Sequence, residues 1–385
     1  MRDSAEILDL FENASASGRK MVLATVVAVS GSAYRRPGAH LLLVDDGRQA
    51  GSISAGCLEN DLIARGTQLF ESSECLLLEY ENDEFFGLNY GCDGTILVFV
   101  QPISRSSCNY PTVVTRVQET AKTSLLATVF DSKDGSQIGK QFLFEVTNNG
   151  VSSIDACSND ELFGEIAACA LNVVNSNSNQ NIEFTTASTK VFFELIKPKI
   201  RLAIFGAGDD VIPLLNIADS VGIETHIVDS RRPYLDRFAT RAKIHNYDQT
   251  FRVESFCNAP ERTAAIVMSH NFELDKRFLS AVLDTNCAFI GVMGSRKRTQ
   301  KLLMELGAEK QRERIKFPVG LDIGAETPEE IALSICSEVL AFFREASGKP
   351  LNTVEGNIHH RIETETRYQN SEKRSAYCTM GDTNV

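Results

Sequence analysis

The chain has 385 residues, 43% hydrophobic and 23% charged, with 51 acidic against 39 basic side chains and a formal net charge of −12. Length and composition predict two or three globular domains that bury their cores without disulfide or metal staples. The negative field repels phosphate backbones and anionic lipid, so nucleic acid and membrane surfaces are excluded as bulk partners. Any anionic ligand must be held by local cations or backbone amides.

In chain order, residues 4–17 predict a short helix with Ile7, Leu8, Leu10 and Phe11 on one side. This start is acidic and amphipathic, with no basic segment leading into an apolar one, and so predicts no targeting signal. No apolar run reaches the ~18 residues needed to cross a membrane. The expectation is a cytoplasmic protein with reduced thiols. Met21–Val29 and His40–Val44 read as strands, the second ending in the turn Asp45-Asp46-Gly47. The small-residue loop GSISAGCLEN runs into a helix, and strands at Cys75–Tyr80 and Thr95–Val100 flank the glycine-rich GLNYGCDGT.

This first domain closes near residue 108. Residues 112–147 read again as strand, and LLATVFDSKDGSQIGKQFLF faintly echoes VLATVVAVSGSAYRRPGAHLLLV. A degenerate duplication and a continuing β-meander both explain the echo, and the meander is the simpler reading. A helix over 158–174, capped by Asn159 or Asp160, a polar loop over 175–181 and a strand over 191–196 complete a connecting β/α region, 109–197.

From Ile200 the pattern alternates strand and helix, so the predicted fold class is α/β. A β-rich N-terminal domain is followed by a Rossmann-type parallel-sheet domain over 198–346. Residues 347–385, poor in aliphatics, read as a disordered tail. Apolar strands at 263–270 and 287–295 enclose the helix FELDKRFLSAVL, and Thr327, Pro328 and Glu330 form a capping box for the last helix.

Four groups of residues could carry chemistry. Gly206 and Gly208 end a strand and open a helix, and Asp229 lies 21 residues beyond Gly208 at the end of the next strand. That spacing would aim backbone amides at a diphosphate and Asp229 at a ribose hydroxyl. Against it, Val211 replaces the third glycine, and Asp209 and Asp210 place negative charge where a pyrophosphate would sit. A Rossmann-type fold without a dinucleotide is equally consistent.

Ser295, Arg296, Lys297 and Arg298 open a helix, where three cations oppose the macrodipole unless an anion joins them. Arg35 and Arg36 stand before a Pro37-Gly38 turn that would aim them. In both places a solvated basic surface is the plainer alternative.

Of the ten cysteines, Cys57 and Cys92 lie in glycine-rich loops. A thiol at a helix entry has a lowered pKa and makes a better nucleophile or soft-metal ligand. Glu59 and Asp93 are adjacent carboxylates able to take a proton. Both thiols could equally be structural. Cys75, Cys257, Cys287 and Cys336 read as core, and no CxxC or zinc spacing occurs. His270 ends a strand where loops line a ligand crevice, or else packs and caps; His40 and His226 read as structural.

GSAYRRPGA, GSISAGCLE and YGCDGT resemble the N-terminal signature of the xanthine dehydrogenase accessory factor family, the XdhC/CoxI-like proteins. FGAGDD, IVDSR, MSHNFELD, GVMGSRKR and PVGLDIGAETPEEIA resemble its Rossmann-type domain, and the likeness covers roughly residues 10–345. The resemblance implies a chaperone that binds molybdenum cofactor, as molybdopterin or its dinucleotide form, promotes its maturation with a terminal sulfido ligand and inserts it into a molybdenum hydroxylase.

The positions it marks are Arg35, Arg36, Cys57, Glu59, Cys92, Gly206, Gly208, Asp229, His270, Ser295, Arg296 and Asp322, with Cys57 and Cys92 as the thiols near molybdenum. Ala55 and Asp93 depart from the glycines common in the family and narrow the room around both thiols. The implied partners are a xanthine, aldehyde or CO dehydrogenase client, a cysteine desulfurase and a second copy of the chain. An NAD(P)-dependent oxidoreductase using Gly206, Gly208 and Asp229 is the alternative from another class.

Overall fold

The computed structural model describes residues 2–31, 34–54, 56–71, 74–80, 94–147, 150–154, 161–184, 188–251, 256–354 and 378–380. The chain divides into two compact units, built from Asp3–Lys197 and Pro198–Ile358. Among the described residues, no helix is long and apolar enough to cross a membrane.

The first unit begins with α1 (Arg2–Ala16), β1 (Met21–Gly31), β2 (His40–Val44) and β3 (Gln49–Gly51). It continues with α2 (Cys57–Ala64), α3 (Gly66–Glu71), β4 (Leu76–Tyr80) and β5 (Gly94–Ile103). These strands pair antiparallel in the order β3-β2-β1-β5-β4.

β1 is mostly apolar because both of its faces are covered. Met21 and Leu23 pack with Ile7 and Phe11 of α1, while Val22, Ala24 and Val26 pack with Leu58 and Leu62 of α2. The register slips between Val26 and Ala28, and this bulge inverts the alternation. Val27 therefore packs among Phe99, Phe130 and Phe192, and Val29 rejoins the α2 side.

The unit continues with α4 (Tyr110–Thr120), β6 (Ser124–Ser132), β7 (Gln141–Thr147) and β8 (Gly150–Ser153). After these come α5 (Glu161–Ser176), β9 (Gln180–Phe184) and β10 (Thr189–Ile196). The second sheet runs β9-β10-β6-β7-β8, and Cys378–Met380 pairs with β9 at its edge.

Two expectations change here. Residues 110–120 form a helix, not a strand: Asn109 and Thr112 make a capping box with Pro111 in the first turn. Its β-branched Val113, Val114 and Val117 imitate a strand, yet their spacing buries one helical face. The polar loop at 175–181 gives way to β9 from Gln180.

The two halves of this unit share one plan. Each runs helix, three strands, a helical segment and two strands, and the sheet β8-β7-β6-β10-β9 repeats the order β3-β2-β1-β5-β4. The string Leu-Ala-Thr-Val occurs at 23–26 and again at 126–129. Val26 N–H donates to Ala39 O at 2.9 Å and Gly38 N–H to Val26 O at 2.8 Å; Val129 with Lys140, and Gly139 with Val129, repeat both bonds at the same lengths. The cross-strand pair Thr25/His40 has its counterpart in Thr128/Gln141, and Gln101 has its counterpart in Glu194. The sequence echo is a duplicated fold, not a continuing meander.

The second unit contains β11 (Arg201–Phe205), α6 (Val211–Ser220), β12 (Glu224–Asp229), α7 (Arg232–Asp236) and β13 (Lys243–Asn246). β14 (Thr263–Val267), α8 (Phe272–Leu283), β15 (Phe289–Val292), α9 (Arg296–Leu306), β16 (Ile315–Lys316) and α10 (Pro328–Phe343) complete it. All neighbours pair parallel in the order β13-β12-β11-β14-β15-β16, the doubly wound arrangement of a Rossmann-type sheet.

Along β11, Leu202 and Ile204 join the core beneath α6 and α10, while Ala203 and Phe205 join the core beneath α8 and α9. Helices on both faces explain why the central strands β11, β14 and β15 read as largely apolar runs. The predicted capping box of α10 is formed by Thr327 and Glu330. The strand order reverses between β11 and β14, and the carboxyl ends of those strands are where such folds open a ligand crevice.

Candidate functional site

In the first unit, Ala39 N–H closes a turn onto Arg36 O at 3.0 Å, with Pro37 second and Gly38 third at φ +92°. This is the type II pattern that the Pro-Gly pair predicts. Asn179 fixes the turn: its amide donates to Pro37 O at 3.3 Å and its Oδ1 accepts from Leu195 N–H at 2.9 Å. A Cβ at Gly38 would overlap the Asn179 amide, so glycine serves both the backbone angle and the close approach. Arg36 is exposed on this turn and Arg35 is half-buried.

Glu59, the third residue of α2, folds its carboxylate back over the loop before the helix. Oε1 accepts from Ser52 Oγ at 2.9 Å, Ile53 N–H at 2.9 Å and Ser54 N–H at 2.8 Å. Oε2 accepts from Gly56 N–H at 3.1 Å and from Ser54 Oγ. Ser54 Oγ in turn accepts from Gly56 and Leu58 N–H, each at 3.1 Å.

Burial by itself would raise the Glu59 carboxyl, but the Ser54 hydroxyl and the backbone donors outweigh it and hold the group at about 2. A carboxylate so ionised and so fully engaged is a poor proton acceptor. Its role is to clamp the turn that brings Cys57 to the first position of α2, behind Gly56 at φ +118°. Among the described residues, nothing lies within 4 Å of where a Cβ on Gly56 would be. Ala55, Cys92 and Asp93 lie outside the described residues, as does the side chain of Cys57.

In the second unit, the loops after β12, β11, β14 and β15 are joined by one polar network. Asp229 is wholly buried; its Oδ2 accepts from Ala207 N–H at 2.9 Å and Arg231 Nη2 at 2.7 Å, and its Oδ1 from Arg231 N–H and Nε, each at 2.9 Å. Burial raises this carboxyl, but the Arg231 guanidinium and the backbone donors overcome it, so the group lies below the usual carboxylate range. The carboxylate expected to meet a ribose hydroxyl is thus filled by the glycine turn and by Arg231. The Arg231 guanidinium also lies 4.3 Å from the ring of Tyr234.

Asp229→Asn is expected to cost about 1–3 kcal/mol, because an amide nitrogen replaces one acceptor facing these donors. Denaturant unfolding of the second unit checks this, and an unchanged midpoint would remove the clamp.

Gly206, at φ +131°, lets the β11 and β14 loops touch: a Cβ there would sit 2.8 Å from Met268 O and Ser269 Cα. Asp210 Oδ2 meets His270 Nε2 at 2.7 Å, and His270 holds a left-handed backbone at φ +59°. Beside it, Ser269 donates through N–H at 2.9 Å and Oγ at 2.5 Å to Asp275 Oδ1, while Arg298 lies 2.6 Å from Asp275 Oδ2 as a charge contact.

Arg298 is therefore offset by a buried carboxylate. Arg296 and Lys297 are exposed and make no ion pair among the described residues. Ser295 caps α9, accepting from Arg298 N–H at 3.3 Å. The structure thus joins Gly206, Asp229, His270, Ser295 and the base of the cationic turn, while Gly208 approaches Asp210 and Asp322 is exposed on the loop before α10.

Sequence reasoning missed Asn179, Ser54, Arg231 and Asp275 as the residues that hold this geometry. Only Arg231 carried a local signal, two positions after Asp229. His40 and His226 are structural as expected: each is buried and hydrogen-bonded, His40 to Glu194 and His226 to His245.

Fold and site together define an α/β protein with a duplicated antiparallel unit and a Rossmann-type unit. Residues 202–339 match the XdhC Rossmann domain, and residues 14–81 match the XdhC and CoxI family. The chain is similar to a protein of Bacillus subtilis (strain 168) described as a probable xanthine dehydrogenase subunit, 31% identical over 330 residues, 83% of this chain and 92% of that one.

It is also similar to the molybdenum cofactor insertion chaperone PaoD of Escherichia coli (strain K12), 23% identical over 343 residues and 88% of each chain. A crystal structure described as a xanthine dehydrogenase from Bacillus halodurans matches with a TM-score of 0.66 and 26% identity, covering 90% of this chain and 96% of that one. The chain belongs to the XdhC and CoxI family.

Proposed function

We propose that this protein is a cytoplasmic accessory factor that holds molybdenum cofactor and inserts it into a molybdenum hydroxylase of the xanthine dehydrogenase type. The observation that carries the reading is the likeness to a cofactor insertion chaperone over 88% of both chains. The cargo is an anion, a pterin with a dithiolene and one or more phosphates, and the residues suit it in chemical kind.

Arg35 and Arg36 on a braced turn would meet negative charge. Cys57 and Cys92 are proposed as the soft groups near the metal. In the second unit, the amides of the turn from Gly206 to Gly208, with Ser295 and Arg296, would meet phosphate. The proposal extends to a cysteine desulfurase as sulfur donor and to self-association.

The test is to purify the full chain from a molybdate-supplied host and measure molybdenum and released pterin together. Wild type should retain both. The Arg35→Ala/Arg36→Ala pair should retain about tenfold less, the size of one lost charge-assisted bond, and Cys57→Ala or Cys92→Ala should impair transfer to the client. Full retention and full client activation in all three would overturn the site.

The alternative of an NAD(P)-dependent oxidoreductase is favoured by the glycine turn and strand order, but weakened by the filled Asp229 carboxylate. A fluorescence titration with NADH and NADPH decides it, since that reading requires binding in the micromolar range.

A further inference from the structure

Cys257 and Cys287 stand 30 residues apart, with no spacing that marks them as a pair, yet their Sγ atoms lie 3.0 Å from one another. Both are free thiols; Cys287 is buried and Cys257 half-buried.

Their closeness is imposed by the backbone. Cys287 precedes β15, where its N–H donates to Thr285 Oγ1 at 3.2 Å and Thr285 Oγ1 donates to Val282 O at 2.7 Å. Arg314 Nη2 holds Thr285 O at 2.8 Å. Cys257 follows Phe256, a fully buried ring whose carbonyl accepts from Arg201 Nη1 at 3.0 Å. The next backbone atoms of the two segments are bonded directly, Ala288 N–H to Pro260 O at 3.0 Å.

The separation discriminates between uses of two thiols. A zinc ion spanned by two thiolates at about 2.3 Å in tetrahedral geometry would hold the sulfurs about 3.8 Å apart, so the pair is too tight for a metal bridge. It is about 1 Å from the bond length of a disulfide, a gap that small side-chain rotations can close.

We propose that Cys257 and Cys287 form a reversible redox pair that takes a low-molecular-weight disulfide as its oxidant. Cys257, the more accessible thiol, loses its proton and attacks one sulfur of R–S–S–R, releasing R–SH and leaving a mixed disulfide on Cys257. Cys287, deprotonated in turn, attacks Cys257 Sγ and expels the second R–SH. Two protein thiols are oxidised to one disulfide, the external disulfide is reduced to two thiols, and both protons leave on the products.

Access, not acidity, sets this order. Cys287 is lowered, chiefly by the hydrogen bond from Cys257, while the shared contact raises Cys257. That hydrogen bond is lost once Cys257 carries the external sulfur, so Cys287 resolves the mixed disulfide through its proximity. The bond would tie together the segments that feed β14 and β15, whose far ends carry His270 and Ser295.

The test treats the full chain with glutathione disulfide, blocks remaining thiols with N-ethylmaleimide and maps the digested peptides by mass. A peptide pair linked through Cys257 and Cys287 should accumulate and disappear on addition of dithiothreitol. The melting temperature of the oxidised second unit should rise by about 5 °C or more, as expected for closing a loop of this length. In Cys287→Ser, the glutathione adduct should persist on Cys257 because nothing resolves it. Recovery of Cys257 and Cys287 as separately alkylated peptides in wild type, while other cysteines oxidise, overturns the proposal, as does a persistent glutathione adduct on wild-type Cys257. The wild-type map decides the matter even if a variant fails to fold.

Discussion

Replacing His40 by alanine should destabilise the first unit by about 3–5 kcal/mol, the usual cost of removing one partner from a buried polar pair. His40 and Glu194 are 4% and 5% exposed, and Nε2 meets Oε1 at 2.8 Å across the two halves of the unit. Nδ1 meets Thr25 Oγ1 at 3.0 Å, and the imidazole stacks on Tyr110 with ring centroids 3.7 Å apart. Alanine removes the ring and leaves the Glu194 carboxylate without this partner in the interior.

The counterpart positions show what a neutral version looks like, since Gln141 and Gln101 stand where His40 and Glu194 do in the other half. Hence His40→Gln with Glu194→Gln should recover most of the loss. Urea unfolding of the four proteins of the double-mutant cycle measures the coupling, and additive effects would show that the pair contributes no mutual energy.

Glu59→Gln should be nearly as costly, about 3 kcal/mol, and its effect should depend on pH. The native carboxyl is held at about 2 against an ordinary value of 4.5. A carboxyl lowered on folding contributes stability that is fully present above the unfolded value, and is lost as pH falls through the folded one. The window therefore runs from about pH 4.5 down to about pH 2, and the difference of about 2.5 units corresponds to roughly 3 kcal/mol. Glutamine has one acceptor oxygen for five donors and turns an amide group toward the rest. In unfolding series at pH 7 and pH 3, wild type should lose stability that the variant has already lost. Parallel pH profiles for the two proteins would exclude the clamp.

The second unit was legible in the sequence because its central strands are covered on both faces and three of its helices, α8, α9 and α10, carry side-chain caps. Phe272–Leu283 emerges at its full length, and Thr327 with Glu330 announces α10. The first unit was harder. Val113, Val114 and Val117 look like a strand unless the Asn109–Thr112 cap is weighed more heavily than side-chain branching.

The site divides in the same way. The Arg36–Ala39 turn was readable because Pro37 and Gly38 dictate a local geometry. The braces on it were not, since Asn179 lies 142 residues from Pro37. Asp229 was visible as an acid at a strand end, but which groups fill it depends on a guanidinium two residues away folding back. Cys257 and Cys287 gave no signal at all, because only the parallel pairing of β14 and β15 makes them neighbours.

The repeated plan of the first unit bears on stoichiometry. Each half offers the same places for a loop, yet the halves are furnished differently. Where the first has Arg35, Arg36, Pro37 and Gly38, the second reaches Gly139 through Ser136, Gln137 and Ile138, without a cation. A dimer of identical halves would present two equal sockets. Fused into one chain, one copy keeps the arginine pair, while the other braces its turn through Asn179 and meets His40 through Glu194. On the proposed function, this unit of each chain carries one cargo molecule, and duplication has supplied support instead of capacity.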